Sequence, residues 1–197
     1  MSPPPQRLVA SLDLGSTKVV ALIAEVTGDT RETGARILGV GEERCSGIRR
    51  GVVRDLEEAT RAIDRAMKRA QQMAGVEVGS VYCGIAGEHT AGRSSHGMVS
   101  VTGEEIRTSD VARVNDMASN ISFGRDHELL HAIPQEFQVD QQGGISEPIG
   151  MSFTHGLTRL SAVTVLTSVL QNLRKCVERA GYHVAEFVLE PLAASLA

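Results

Sequence analysis

Two apolar runs near the start of the chain, LVASL (residues 8–12) and VVALIAEV (19–26), are joined by the short charged segment DLGSTK. Runs rich in Val, Leu, Ile and Ala on either side of a glycine-bearing turn read as a hairpin with buried strands, which limits every later choice of architecture. RILGVGEERC follows the polar loop TGDTRETG and reads as a third strand. Residues 55–73 then give the clearest helix. Asp55 and Glu58 have capping-box spacing, Leu56, Ala59, Ile63, Ala66, Met67, Ala70 and Met73 form one apolar stripe, and Gly75 supplies a stop. Glu57 with Arg61 and Asp64 with Lys68 add support at helical spacing. VGSVYCGIAG reads as a fourth strand.

From about Gly87 the texture changes, with more Gly, Ser, His and charge. TSDVARVNDMASNI reads as a short helix opened by Thr108 or Ser109, and HELLHAIPQEFQVD and HGLTRLSAVTVLT read as strands flanking a Gly- and Pro-bearing loop. Residues 87–163 are therefore expected to be a small inserted domain. SVLQNLRKCVERAGY makes a second amphipathic helix ending near Gly181, and VAEFVLEP is a buried strand leading into an Ala-rich helix start. Without the insert, the order is three strands, helix, strand, helix, strand and the beginning of a helix. That is the order of a ribonuclease-H-like α/β unit, in which parallel strands extend an antiparallel trio and helices cover the sheet.

Bulk properties exclude several functions. The 197 residues carry a net charge of −4, and 3% are aromatic with no Trp. Neither phosphate neutralisation nor base stacking is well supplied, so nucleic acid is not an expected partner. Cys45, Cys83 and Cys176 are widely spaced and form no C-x-x-C pair, which fits a reducing cytoplasm better than a disulfide framework. Residues 1–7, MSPPPQR, lack the long apolar segment of a secretory signal and read as a disordered lead. No other run is long and apolar enough to cross a bilayer.

Within DLGSTK, Gly15 lets backbone approach a ligand and successive N–H groups can form an anion nest. Ser16 and Thr17 add hydroxyl donors, Lys18 offers a point charge to a phosphate, and Asp13 can hold a hydrated Mg²⁺. An ordinary hairpin turn with a surface lysine explains the same residues. HELLH, from His127 to His131, has the spacing of a helical zinc site, but Pro134 and the alternation that follows give it strand context, so it reads as coincidence. His89, His96, His155 and His183 show no ligand spacing. Arg49, Arg50 and Arg54 read as a solvated basic loop. Glu190 ends the apolar run FVL and precedes Pro191. It can face a cleft at the strand ends or simply open a helix.

SLDLGSTKVVALIAEV, ILGVGEERCSGIRRGVVRDLEEATRAI, SVYCGIAGEH, LLHAIPQEFQVDQQGGISEPIGM and LEPLAASLA together resemble the FtsA family of actin-like bacterial cell-division proteins, from about Leu8 to Ala197. The resemblance implies an actin and Hsp70-type ATP-binding fold (residues 8–86 and 164–197) with the family's strand-helix-strand-strand 1C domain, of the SHS2 type, inserted at 87–163. It implies that Asp13 faces Mg²⁺, that Gly15, Ser16, Thr17 and Lys18 approach the phosphates of ATP, and that Glu190 positions an attacking water. At most a weak ATPase is expected. The resemblance further implies self-association, recruitment of later division proteins through the insert, and tethering of FtsZ to the cytoplasmic face of the inner membrane. Family members continue into a second half with another phosphate loop, the FtsZ-binding region and a membrane helix, so the chain reads as an N-terminal part supplying one wall of a nucleotide cleft. The alternatives are a sugar-kinase-type phosphotransferase, which shares the D-x-G-x-T turn, and another bacterial actin relative that acts in shape determination or pilus assembly.

Overall fold

The computed structural model describes residues 6–27, 34–100, 105–119, 126–140, 142–152 and 155–196. Residues 1–5, most of the expected disordered lead, lie outside them, as does most of the polar loop after the second strand. Gln6 and Arg7, also assigned to that lead, instead begin the first strand. The chain divides into two compact units: Met1–His89 with Ser168–Ala197, and Thr90–Thr167.

The first unit is built on a five-stranded sheet. β1 (Gln6–Leu14), β2 (Lys18–Thr27) and β3 (Gly34–Arg44) form an antiparallel meander. A two-residue-stranded hairpin, β4 (Ile48–Arg49) and β5 (Val52–Val53), and helix α1 (Leu56–Ala74) lead into β6 (Ser80–Ile85), which pairs parallel to β1. The second unit supplies β7 to β10 and α2, described below. After it, α3 (Thr167–Arg179) leads into β11 (His183–Leu189), which pairs parallel to β6, and then into α4 (Glu190–Leu196). The strand order β11-β6-β1-β2-β3 is that of the ribonuclease-H-like unit expected from the element order.

Alternation along β1 buries Ala10, Leu12 and Leu14, and along β2 it buries Val19, Ala21 and Ile23. Helix α1 packs against β2 and β3 through Ala59, Ile63, Ala66, Met67 and Ala70. The α3 thiol of Cys176 donates to the carbonyl of Leu56 at the start of α1, so the two helices are neighbours. The apolar stripe of α1 ends short of Met73, which is 67% exposed.

The cap of α1 is half of the expected box. Asp55 accepts from the Glu58 amide (2.9 Å), but the Glu58 carboxylate turns to the Ser46 amide (2.9 Å), while the Asp55 amide donates to Gly47. Gly75, left-handed at φ 69°, closes the helix.

The second unit is a four-stranded antiparallel sheet of β7 (Thr90–Ser100), β8 (His127–Val139), β9 (Gln142–Ile145) and β10 (His155–Leu166), ordered β7-β10-β8-β9, with α2 (Thr108–Ser119) against β7 and β10. The sequence strand, helix, strand, strand is present, with the short β9 added as a hairpin on β8. Pro134 falls where the β8 register slips against β10, so its missing N–H costs no regular ladder bond. His127 and His131 both stand on β8. Helix α2 is opened by neither Thr108 nor Ser109. Asp110 reaches back to the Arg107 amide (3.0 Å), whose carbonyl accepts the first helical bonds. No helix among the described residues is long and apolar enough to cross a membrane.

Candidate functional site

The C-terminal ends of the three mutually parallel strands β1, β6 and β11 come together in the first unit, which is where open α/β sheets gather ligands. A cleft of about 450 Å³ opens there. Asp13 and the turn residues Gly15 and Ser16 form one side, and Gly84 through Glu88, the end of β6 and the residues just after it, form another. Leu173 and Glu190 come from α3 and the start of α4, and Arg50 and Gly51 from the tip of the β4–β5 hairpin.

Asp13 and Glu190 therefore share one cleft. The Glu190 carboxylate occupies the space a Cβ on Gly84 would need, with Oε1 2.9 Å from that point. Burial pushes the Glu190 carboxyl above its ordinary value, and the negative charge of Asp13 adds to the effect. The residues on the first turn part company. Gly15 and Ser16 line the cleft, whereas Thr17 and Lys18 are not among its lining residues. Thr17 uses its carbonyl to accept the Cys45 amide (3.0 Å), and Lys18 pairs with Glu42 on β3 (2.9 Å). Gly15 is demanded by the turn itself, because a Cβ there would stand 2.8 Å from the Lys18 carbonyl oxygen.

Sequence reasoning missed the hairpin tip. Arg49 pairs with Val52, so the loop is the two residues Arg50 (φ 50°) and Gly51 (φ 75°), both left-handed as in a type I′ turn. The Arg50 amide donates to Ser16 Oγ (2.8 Å). The hydroxyl is thus oriented by an acceptor bond and keeps its own proton to donate. The guanidinium of Arg50 stands 3.7 Å from Glu88 Oε1. Behind this tip lies His89, buried, with its ring edge close to Gly51 and Gly87. Neither of its ring nitrogens has a hydrogen-bond partner among the described residues, and burial holds its pKa below the ordinary 6.5.

The donor set has a clear chemical preference. Three carboxylates, Asp13, Glu88 and Glu190, face one guanidinium among the lining residues, so a bare anion meets net negative charge. An anion that arrives with a hard divalent cation fits, because oxygen ligands suit Mg²⁺ while amides, a hydroxyl and a guanidinium suit phosphate oxygens.

Residues 87–155 match the family model described as the SHS2 domain inserted in FtsA. The chain is 37% identical over 189 residues to the cell division protein FtsA of Pseudomonas aeruginosa, covering 96% of this chain and 45% of the relative. It is 35% identical over 192 residues to FtsA of Neisseria meningitidis, covering 98% and 46%, and 34% identical over 190 residues to FtsA of Escherichia coli K12, covering 96% and 44%. The chain thus spans a little under half the length of these relatives. Among solved structures, the PilM-PilN type IV pilus biogenesis complex is similar over 98% of this chain and 50% of that chain, with a TM-score of 0.62 and 12% identity, a likeness of fold alone. The insert and the sequence on both sides of it point the same way: the chain belongs to the FtsA family.

Proposed function

We propose that the chain forms the phosphate-holding wall of an ATP site in an FtsA-type division scaffold. The observation that carries this reading is the convergence of Asp13 and Ser16, at the end of β1 and in the turn after it, with Glu190 at the start of α4, on one acidic cleft at the ends of parallel strands. Asp13 would hold Mg²⁺ through water, and the metal would offset phosphate charge. The chain's own groups do the rest. The backbone at Gly15 and the Ser16 hydroxyl donate to phosphate oxygens, and Glu190, kept in an environment that raises its proton affinity, orients water at the phosphate end and gives at most slow hydrolysis. Thr17 and Lys18 assist only where the turn brings them round, and Lys18 must first leave Glu42.

In this reading the protein works at the division site on the cytoplasmic face of the inner membrane. It links FtsZ to the membrane through regions its longer relatives carry, self-associates, and recruits later division proteins through the SHS2-type insert. Support comes from the insert's family match and from relatives named as cell division proteins. ATP is expected to act by favouring a closed state of the site and so changing subunit contacts.

The test is an amide-resolved NMR titration of the 197-residue chain with MgATP. One wall of a site predicts millimolar binding, with shifts at Gly15, Ser16 and Gly84 that Asp13→Ala abolishes. Micromolar affinity would overturn the single-wall reading, and the absence of shifts at the cleft would overturn the nucleotide reading.

A further inference from the structure

Resting on the nucleotide reading of the cleft, we propose that Arg50 is its phosphate-binding cation and that it exchanges Glu88 for the terminal phosphate when ligand arrives. The turn that carries Arg50 is built to place it. A non-glycine residue at φ 50° carries a backbone penalty that a surrounding structure must over-determine, and such residues gather at ligand clamps. Here the surroundings are specific. The Arg50 amide is tied to Ser16 Oγ, the next residue lies against the Ala86 carbonyl and the His89 ring, and the Arg54 and Asp55 amides both close on Gly47 (2.7 and 3.0 Å). One hydrogen bond thus couples the hairpin tip to the same Ser16 that lines the phosphate turn.

The other available cation is committed elsewhere. Lys18 holds Glu42 at 2.9 Å, while Arg50 and Glu88 are 3.7 Å apart with side chains 74% and 83% exposed. An exposed pair at that distance holds its partners weakly, so a phosphate can displace Glu88. The planar guanidinium can then meet two phosphate oxygens at once, which an ammonium cannot. Arg50 is also the one basic side chain among the described residues lining the cleft. Asp13 would hold the divalent cation there, and Arg50 would supply the contact to the oxygens that the metal does not neutralise.

The experiment is the NMR titration extended to MgATP, MgAMP and inorganic tripolyphosphate with magnesium, on the wild-type chain and on Arg50→Asn, Arg50→Lys and Lys18→Ala. Asn suits the left-handed position, so Arg50→Asn removes the charge without straining the turn, and unchanged amide spectra away from residues 48–53 confirm folding. Expected is an affinity loss of about tenfold for ATP and tripolyphosphate in Arg50→Asn, the loss of one charge-assisted contact at an exposed site. Partial recovery is expected in Arg50→Lys, with a change within about twofold for Lys18→Ala or for MgAMP. If the wild-type chain binds ATP and tripolyphosphate and Arg50→Asn binds them equally well, the role of Arg50 is overturned while the nucleotide reading stands. If the wild-type chain shows no cleft shifts with any probe, both fall together.

Discussion

Two tight turns reach the same cleft and are held in place by opposite means. The first, residues 15–18, closes a long antiparallel ladder in which β1 and β2 stay in register from Leu14 with Val19 out to Gln6 with Thr27. Its shape follows from its neighbours in sequence, and its glycine is pressed by its own strand, at the Lys18 carbonyl. The second, Arg50–Gly51, caps a hairpin of only two residue pairs. A ladder that short is marginal on its own, so this turn is held from outside, by Ser16, Ala86 and His89. The first turn is local structure that happens to face the cleft. The second is tertiary structure, and its conformation reports on three other elements.

The glycines give the sharpest way to break that contrast. A Cβ at Gly51 would sit inside van der Waals range of the Ala86 carbonyl and the buried His89 ring, at a left-handed φ of 75°. Strain and overpacking together predict a loss of about 3 kcal/mol for Gly51→Ala. Gly15→Ala meets a single carbonyl at 2.8 Å without a positive φ, which predicts about 1 kcal/mol. Hydrogen exchange at the Leu12 and Cys83 amides, in the centre of the sheet, reads both. Equal losses, or a larger one for Gly15→Ala, would show that the hairpin tip yields easily and that tertiary contacts do not fix it.

The same contrast explains what the sequence made legible. The meander, α1 and the parallel strands follow from apolar period and glycine stops, which are local signals. The α1 cap shows where they end: Asp55 and Glu58 have the right spacing, yet Glu58 is drawn to the Ser46 amide, a contact no spacing rule contains. Asp13, Gly15 and Ser16 could be nominated because they share one turn, and Glu190 because a strand end precedes it. Arg50 could not. IRRGVV hides a type I′ turn because Arg stands where Asn or Gly usually advertises one, and three arginines in six residues read as solvent-facing charge. Gly84 was equally silent, since its role is to leave room for a carboxylate 106 residues away, as the numbering of Gly84 and Glu190 shows.

Acid should loosen the second turn and spare the first. His89 is buried without a hydrogen-bond partner and its pKa is lowered by desolvation. Its contribution is complete above the unfolded value of 6.5 and is lost as pH falls through the lower native value, because below 6.5 the unfolded chain binds the proton more readily. The Arg50 carbonyl and the backbone of Gly51 and Gly87, which lie beside it, do not titrate. On mild acidification, the protection factor of the Arg50 amide should fall more than that of Val19, and His89→Phe, which keeps a ring and removes the titration, should flatten that response. An identical acid response in the Phe variant would assign the effect to the cleft carboxylates instead.

The smallest expected effect decides which turn supplies charge to a ligand. Lys18 and Glu42 are paired at 2.9 Å with side chains 49% and 57% exposed, an arrangement that contributes about 0.5 kcal/mol or less in water. Glu42→Gln frees Lys18 without touching the cleft lining, so a lysine with a phosphate role should bind tripolyphosphate more tightly once its competitor is gone. If Arg50 carries that role, Glu42→Gln leaves the affinity within about twofold and the stability within about 0.5 kcal/mol of the parent. A several-fold gain in affinity would move the anion contact back to the first turn. It would also mean that a turn fixed by its own ladder can re-aim its lysine without repacking, and the division of labour between the two turns would then have to be drawn the other way.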